Sequence, residues 1–170
     1  MKLSMIHAIY RLRIHYGHPS GSLLNSCCYA IVNNKTHEFL VPSEIVDQGE
    51  NDNRYVVASK SSGFASTWRL AQRQVNGETI VTFQNIQSKQ FLFTGGYNLL
   101  YTGDVPHGVD SYYSLPKGVQ SGLIGQRNTF GGYFEYVRAE KYPGYSHGFV
   151  KLGKIIERSY WTFIHRPCIC

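Results

Sequence analysis

The stretch Val81-Thr82-Phe83-Gln84-Asn85-Ile86-Gln87-Ser88-Lys89-Gln90-Phe91-Leu92-Phe93 has a close copy upstream, and internal repetition restricts the fold more than any other feature of this chain. It reads as a strand with alternating large residues (Val81, Phe83), a polar turn beginning at Asn85, and a second apolar strand at Phe91-Leu92-Phe93, the pattern of a β-hairpin. Upstream, the run from Tyr29 to Val41 aligns without a gap. Tyr29 and Ile31 match Val81 and Phe83, Asn33 matches Asn85, and Phe39-Leu40 match Phe91-Leu92. One further step of about 52 residues reaches the alternating run Tyr133 to Arg138, followed by a longer turn from Lys141 to His147 and the apolar pair Phe149-Val150. Three hairpins at one period predict a threefold repeat with units over about 29–80, 81–132 and 133–170. Hairpins that cannot cover their apolar faces locally must bury them against their copies, and closure of the ring removes exposed sheet edges.

Composition agrees with an all-β domain. Among 170 residues there are thirteen Tyr, nine Phe and seventeen Gly, and such aromatic residues favour half-buried pleated surfaces. The formal net charge is +6, but the Lys and Arg residues are scattered, with only Arg11 and Arg13 or Lys151 and Lys154 close together. A nucleic-acid binder concentrates its cations on one stripe, so the charge points to solubility or a weak preference for acidic partners. The run from Met1 to Ile9 starts with a base, but Ser4 and His7 break its apolar stretch, which speaks against a signal or a membrane span. The expectation is synthesis in the cytoplasm, with later export left open. Cys27-Cys28 and Cys168-Ile169-Cys170 sit near the two ends of the repeat region. They read either as free thiols or as a bridge from Cys27 or Cys28 to the tail. Asn34-Lys35-Thr36 is a glycosylation sequon in a turn, a pattern too short to establish secretion.

In chain order, Ile9 to Tyr16 alternates strictly and reads as a half-buried strand, and Ser22-Leu23-Leu24 resumes an apolar strand before the first repeat. A polar loop is expected from Glu44 to Arg54, and a strand from Thr67 to Arg73. The Asn76-Gly77 dipeptide predicts a tight turn into the central hairpin. The span from Asp104 to Asn128 reads as loops around two short strands at Tyr112-Tyr113 and Leu123-Ile124. Lys151 to Ser159 is the nearest thing to a helix and is short. The expected core comprises Tyr10, Ile31, Leu40, Trp68, Leu70, Phe83, Leu92, Tyr136 and Trp161.

The run Thr67-Trp68-Arg69-Leu70, a tight turn, Val81-x-Phe83-x-Asn85, a polar turn and Phe91-Leu92 resembles the repeat junction of β-trefoil proteins, in particular ricin-B-like lectins, and Tyr160-Trp161-Thr162-Phe163 resembles a second closing strand. Two features depart from that pattern. The Gln-x-Trp signature is absent, Ser66 standing where the Gln would precede Trp68. There is also one strand too many, because Tyr10-Arg11-Leu12 resembles Trp68-Arg69-Leu70 while Trp161 already supplies a third closing strand. Residues 1–28 therefore either complete the barrel or add an outer N-terminal hairpin.

Catalytic signals are weak: there is no nucleophile elbow, phosphate loop or metalloprotease pair. His15 with His18, and Asp47, Glu50 and Asp52, are better read as ordinary polar residues than as metal ligands, and no cofactor is expected. The trefoil resemblance implies a non-enzymatic lectin that binds glycans or glycoproteins in shallow pockets between hairpins, with a ring stacked on the sugar and Asp, Asn or Gln holding its hydroxyls. The residue types that suit such a pocket are Tyr97, Asn98, Tyr101, Asp104 and His107, followed by Tyr142, Tyr145 and His147 in the third hairpin. The alternatives are a protein partner blocked by a stiff exposed loop, as in trefoil protease inhibitors, or self-association of a tyrosine-rich structural or storage protein.

Overall fold

The computed structural model describes residues 27–46, 53–116, 118–127, 134–145 and 148–168. The expected strands before residue 27, Tyr10 among them, His15 and His18, and the acidic loop residues Asp47, Glu50 and Asp52 lie outside this set.

Eleven strands are described: β1 (Cys27–Asn33), β2 (Phe39–Val46), β3 (Arg54–Ser59), β4 (Thr67–Val75), β5 (Glu78–Asn85), β6 (Phe91–Thr94), β7 (Leu100–Gly103), β8 (Gly125–Arg127), β9 (Phe134–Glu140), β10 (Gly148–Gly153) and β11 (Trp161–Arg166). Pairing runs β1-β4-β5-β6-β7-β3-β2 and returns from β2 to β1, a closed ring of seven strands. To this ring β11 adds beside β1, while β10, β9 and β8 extend from β3. Closure leaves the ring strands without free edges, so the inward side chains must fill one interior. Ile31, Leu40, Trp68, Leu70, Phe83, Leu92 and Trp161 do so, as expected, joined by Val56, Leu100, Tyr113, Ile124 and Val150.

The two copied hairpins close on the same device. Asn33 and Asn85 end β1 and β5, and both side chains are buried. The Asn33 carbonyl oxygen accepts the N–H groups of Lys35 and Thr36 at 3.1 Å each, and that of Asn85 accepts Gln87 and Ser88 at 3.1 and 3.0 Å. Each amide nitrogen then donates outward at 2.8 Å to a carbonyl in the connection that leads into its neighbouring strand, Arg158 before β11 for Asn33 and Ala65 before β4 for Asn85. His37 and Lys89 take the same left-handed conformation at the end of each turn, with φ of 57° and 63°.

The carbonyls that Asn33 and Asn85 seize belong to two matching 3-10 turns, Phe64–Ser66 and Glu157–Ser159. Ser66 accepts the Gly63 N–H and Ser159 the Ile156 N–H, both at 3.1 Å, and each buried hydroxyl stands two residues before a buried tryptophan. The missing Gln of the Gln-x-Trp pattern is thus replaced at both sites by a serine that closes its own turn. The indole N–H groups are satisfied inside the barrel, Trp68 to the Leu40 carbonyl at 2.8 Å and Trp161 to the Val137 carbonyl at 2.9 Å.

The third hairpin departs from its copies. Phe149 pairs with Glu140 and Val150 with Ala139, and Val137 and Ala139 face the core. Tyr136, expected inside, is half-buried, because a shift of one residue along a strand exchanges its two faces. The polar loop expected from Glu44 to Arg54 is shorter, since β2 continues to Val46 and Arg54 begins β3. From Lys151 onward the chain stays in β10 to Gly153 and makes only the 3-10 turn Glu157–Ser159.

The span after Asp104, expected as loops around two short strands, is anchored by Tyr113. Its backbone exchanges two hydrogen bonds with Val81 at 2.7 and 3.0 Å, and its ring meets Phe83 edge-on at 5.5 Å. Burial pushes its phenol well above the usual tyrosine range, with a 3.2 Å hydrogen bond to Thr94 opposing that shift. Around it lie 3-10 turns at Gly108–Ser111 and Val119–Ser121 and the short β8.

Cys28 and Cys168 form a disulfide that joins β1 to the segment after β11 across 140 residues of chain. It selects the bridge over the free-thiol alternative for these two residues.

Asn85→Ala should lower the unfolding free energy by about 2–4 kcal/mol, because it strands two turn N–H groups and the Ala65 carbonyl. Replacing Cys28 and Cys168 together by Ser should lower it by about 2–5 kcal/mol. Urea denaturation of the purified variants measures both.

Candidate functional site

β6 and β7 form a hairpin in which Phe91 faces Gly103, Leu92 faces Thr102, Phe93 faces Tyr101 and Thr94 faces Leu100. The tip runs from Gly95 to Leu99 and is closed by a 2.9 Å bond from the Gly95 N–H to the Leu99 carbonyl. At this tip Tyr97 and Asn98 both adopt the left-handed conformation, with φ of 57° and 60°. The Tyr97 ring is 93% exposed. Such backbone costs of order 1–3 kcal/mol for a residue other than glycine, and packing of this ring does not offset it.

Tyr101 does not stand with them. It is 5% exposed, which corrects the expectation of a surface ring. The four residues of β7 are all buried, since that strand lies between β6 and β3. The ring stacks on Phe93 at 5.6 Å and leans on Tyr55 at 4.7 Å. Gly95 passes so close above it that a Cβ there would fall 2.7 Å from a ring carbon, so only glycine fits.

Beyond the opposite end of the hairpin lie Asp104 and His107, each held by a different partner, Asp104 by Gln90 and His107 by Phe93. Gln90 is buried; its carbonyl oxygen accepts the Thr102 hydroxyl at 2.9 Å and its amide donates to Asp104 Oδ1 at 3.2 Å. The carboxylate is therefore held in place while Asp104 itself remains exposed. The His107 ring lies nearly parallel on Phe93 at 4.0 Å, and its backbone N–H donates to Ser111 Oγ at 2.8 Å. Gly103 admits this arrangement: a Cβ there would approach Asn53 Oδ1 to 2.8 Å and His107 Nε2 to 3.1 Å.

Gln90 also lines a cleft of about 410 Å³ together with Ser43, Glu44, Arg54, Gln87 and Ser88. Arg54 and Glu44 pair at 2.9 Å on its wall. The cleft offers donors and acceptors of several kinds, and no aromatic side chain lines it.

The row of rings continues away from the hairpin. Tyr55 meets Phe149 edge-on at 5.7 Å, and Phe149 in turn receives Tyr142 at 5.6 Å and Tyr145 at 5.1 Å. Tyr145 is 59% exposed; His147 lies outside the described residues. The candidates thus divide among three places: Tyr97 and Asn98 at the tip, Asp104 and His107 at the base, and Tyr142 with Tyr145 at the corner of β10. Tip and base are separated by the length of a four-residue strand, about 10–13 Å. The sequence reading missed Gln90 and Thr102, which fix the carboxylate, and Phe93, Tyr55 and Phe149, which connect the rings. Gln90 had one signal: it directly precedes the apolar pair of the second hairpin, where the first hairpin has the buried Glu38.

Among the described residues no three His, Cys, Asp or Glu side chains are grouped so as to hold a metal ion, and no helix is long and apolar enough to cross a membrane.

This architecture is the β-trefoil fold. Solved structures with it include the β-trefoil protein BEL (TM-score 0.59, 7% identity, 86% of this chain and 98% of that one). A Polyporus squamosus lectin bound to a human-type influenza-binding epitope matches with TM-score 0.55 and 15% identity over 82% of this chain and 49% of that one. An endo-β-galactosidase from Clostridium perfringens that releases GlcNAcα1-4Gal matches with TM-score 0.57 and 17% identity over 83% of this chain, which spans only 33% of that enzyme. No family model and no curated protein sequence matches the chain. At these identities the likeness concerns the fold alone.

Tyr101→Ala should destabilise the protein by about 3–5 kcal/mol, the behaviour of a core ring. Tyr97→Gly should instead stabilise it by up to about 1 kcal/mol by relieving the left-handed backbone. Thermal melts of the two variants give opposite signs if the tip and the row have these separate roles.

Proposed function

We propose that the protein is a non-catalytic carbohydrate-binding protein whose glycan contacts centre on Asp104 and His107 at the base of the β6–β7 hairpin. The observation that carries this reading is the Thr102–Gln90–Asp104 chain, which presents a fixed carboxylate beside a polar cleft. Vicinal sugar hydroxyls need acceptors held in place, and the C–H face of a pyranose needs a flat ring that does not move. Asp104 supplies the first and His107, backed by Phe93, the second. Gln87, Ser88 and Arg54 extend the polar surface for a second sugar unit. Trefoil neighbours whose names include a lectin and an endo-β-galactosidase support a carbohydrate as the kind of partner. We read the barrel as three diverged hairpin units with a period of about 52 residues. The identical closure at Asn33 and Asn85 supports the first two, and the altered third hairpin fits the presence of few working pockets.

One observation favours a second reading, an interaction protein acting through a loop. The segment after Asp104 exposes Val105 and Val109, at 63% and 56%, yet is pinned from beneath by Tyr113 and by a 2.8 Å bond from the Gln126 amide to the Asp110 carbonyl. A stiff loop with apolar tips suits a protein partner.

A glycan array probed with the wild-type protein, Asp104→Ala and His107→Ala separates the two readings. The expected result is selective binding by the wild type, weakened at least about tenfold in Asp104→Ala under conditions in which that variant is still folded. A folded wild-type protein that binds no glycan overturns the lectin reading. Binding that survives both substitutions moves it to the Tyr142–Tyr145 corner or the Tyr97 tip.

A further inference from the structure

We propose that Asn34 is an N-glycosylation site and that the protein matures in an oxidising, lumenal or extracellular compartment. Asn34-Lys35-Thr36 is the single Asn-x-Ser/Thr triplet of the chain. It occupies the turn between β1 and β2, and Asn34 is exposed. At the matching place in the other hairpin stands Ile86, which is buried, so this turn position is turned outward only where the sequon is found.

The side chain is oriented for the modification. Thr162 donates its hydroxyl to Asn34 Oδ1 at 2.7 Å, and the Asn34 backbone N–H donates to the Tyr160 carbonyl at 2.9 Å. The amide oxygen is therefore anchored to β11, while Nδ2 makes no hydrogen bond among the described residues and is the atom a glycan would occupy. A sugar on Nδ2 leaves both of these bonds in place. The Thr36 hydroxyl, which the sequon requires, is buried without a hydrogen-bond partner among the described residues, so it has no evident structural use in the finished fold. Transfer onto the chain before it folds would use it while it is still accessible.

The compartment follows from a separate feature. The Cys28–Cys168 disulfide is a bond that reducing cytosol does not sustain, and the lumen in which it forms also houses oligosaccharide transfer. In the reaction Asn34 Nδ2 attacks the anomeric carbon of a polyprenyl-diphosphate-linked oligosaccharide. The N–C bond forms as the C–O bond to phosphate breaks, the lipid diphosphate leaves, and the amide gives one proton to a base.

The test is to direct the whole chain into the secretory pathway of insect cells behind a signal leader. The secreted protein is then analysed by non-reducing peptide mass spectrometry before and after enzymatic deglycosylation. The expected result is one glycan on the Asn34 peptide, retained in Thr36→Ser, absent in both Asn34→Gln and Thr36→Val, together with a Cys28–Cys168 cross-linked peptide. Secreted, disulfide-bonded protein with an unmodified Asn34 overturns the glycosylation site. Secretion with Cys28 and Cys168 as free thiols overturns the compartment. Failure of the wild-type chain to leave the cells, with Asn34 unmodified in the retained protein, overturns both.

Discussion

The buried amide of Asn85, and of Asn33 in its copy, is the contact on which the architecture turns. A hairpin whose turn is closed only by its own backbone has no preferred relation to its neighbours. Here one side chain performs two tasks, taking up the turn N–H groups with its oxygen and holding, with its nitrogen, the connection that leads into a neighbouring strand. The held carbonyl lies just ahead of a tryptophan, so the clasp also sets where that ring enters the barrel. Local turn chemistry and the packing of the interior are therefore one constraint, and Ala65 and Asn85 line the same cleft as Gln90.

From that frame the site inherits its rigidity. Gln90 follows the clasped turn, and its depth lets it fix the Asp104 carboxylate from below. The ring row across β6, β7, β3 and β10 gives His107 a hard backing and carries the same stiffness to the corner with Tyr145. Only the Tyr97 tip stands apart, projecting a ring that its own backbone conformation disfavours.

The sequence shows the fold through its two gapless hairpins, because Asn33 and Asn85 need the same residue for the same geometry and large residues at alternate positions must share one face. It shows the third hairpin poorly: two different turn lengths and a one-residue offset place Val137 inside where Tyr136 was expected. Of the candidate site, residue type picks out Asp104 and His107 as exposed polar side chains, but it does not reveal that Tyr101 is buried against its strand neighbours or that Tyr97 and Asp104 stand at different ends of the hairpin. Gln90 was overlooked because a glutamine in a polar turn looks like a solvated residue until the hydroxyl of Thr102 is found beneath it.

The bridge between Cys28 and Cys168 has a mechanical meaning. Tension applied to the chain outside those two residues travels from sulfur to sulfur and bypasses the strands between them. The barrel behaves as a loop hung from a covalent knot, so that a pull applied through the two segments flanking it loads a bond of covalent strength before it loads the hydrogen bonds of β1 and β11.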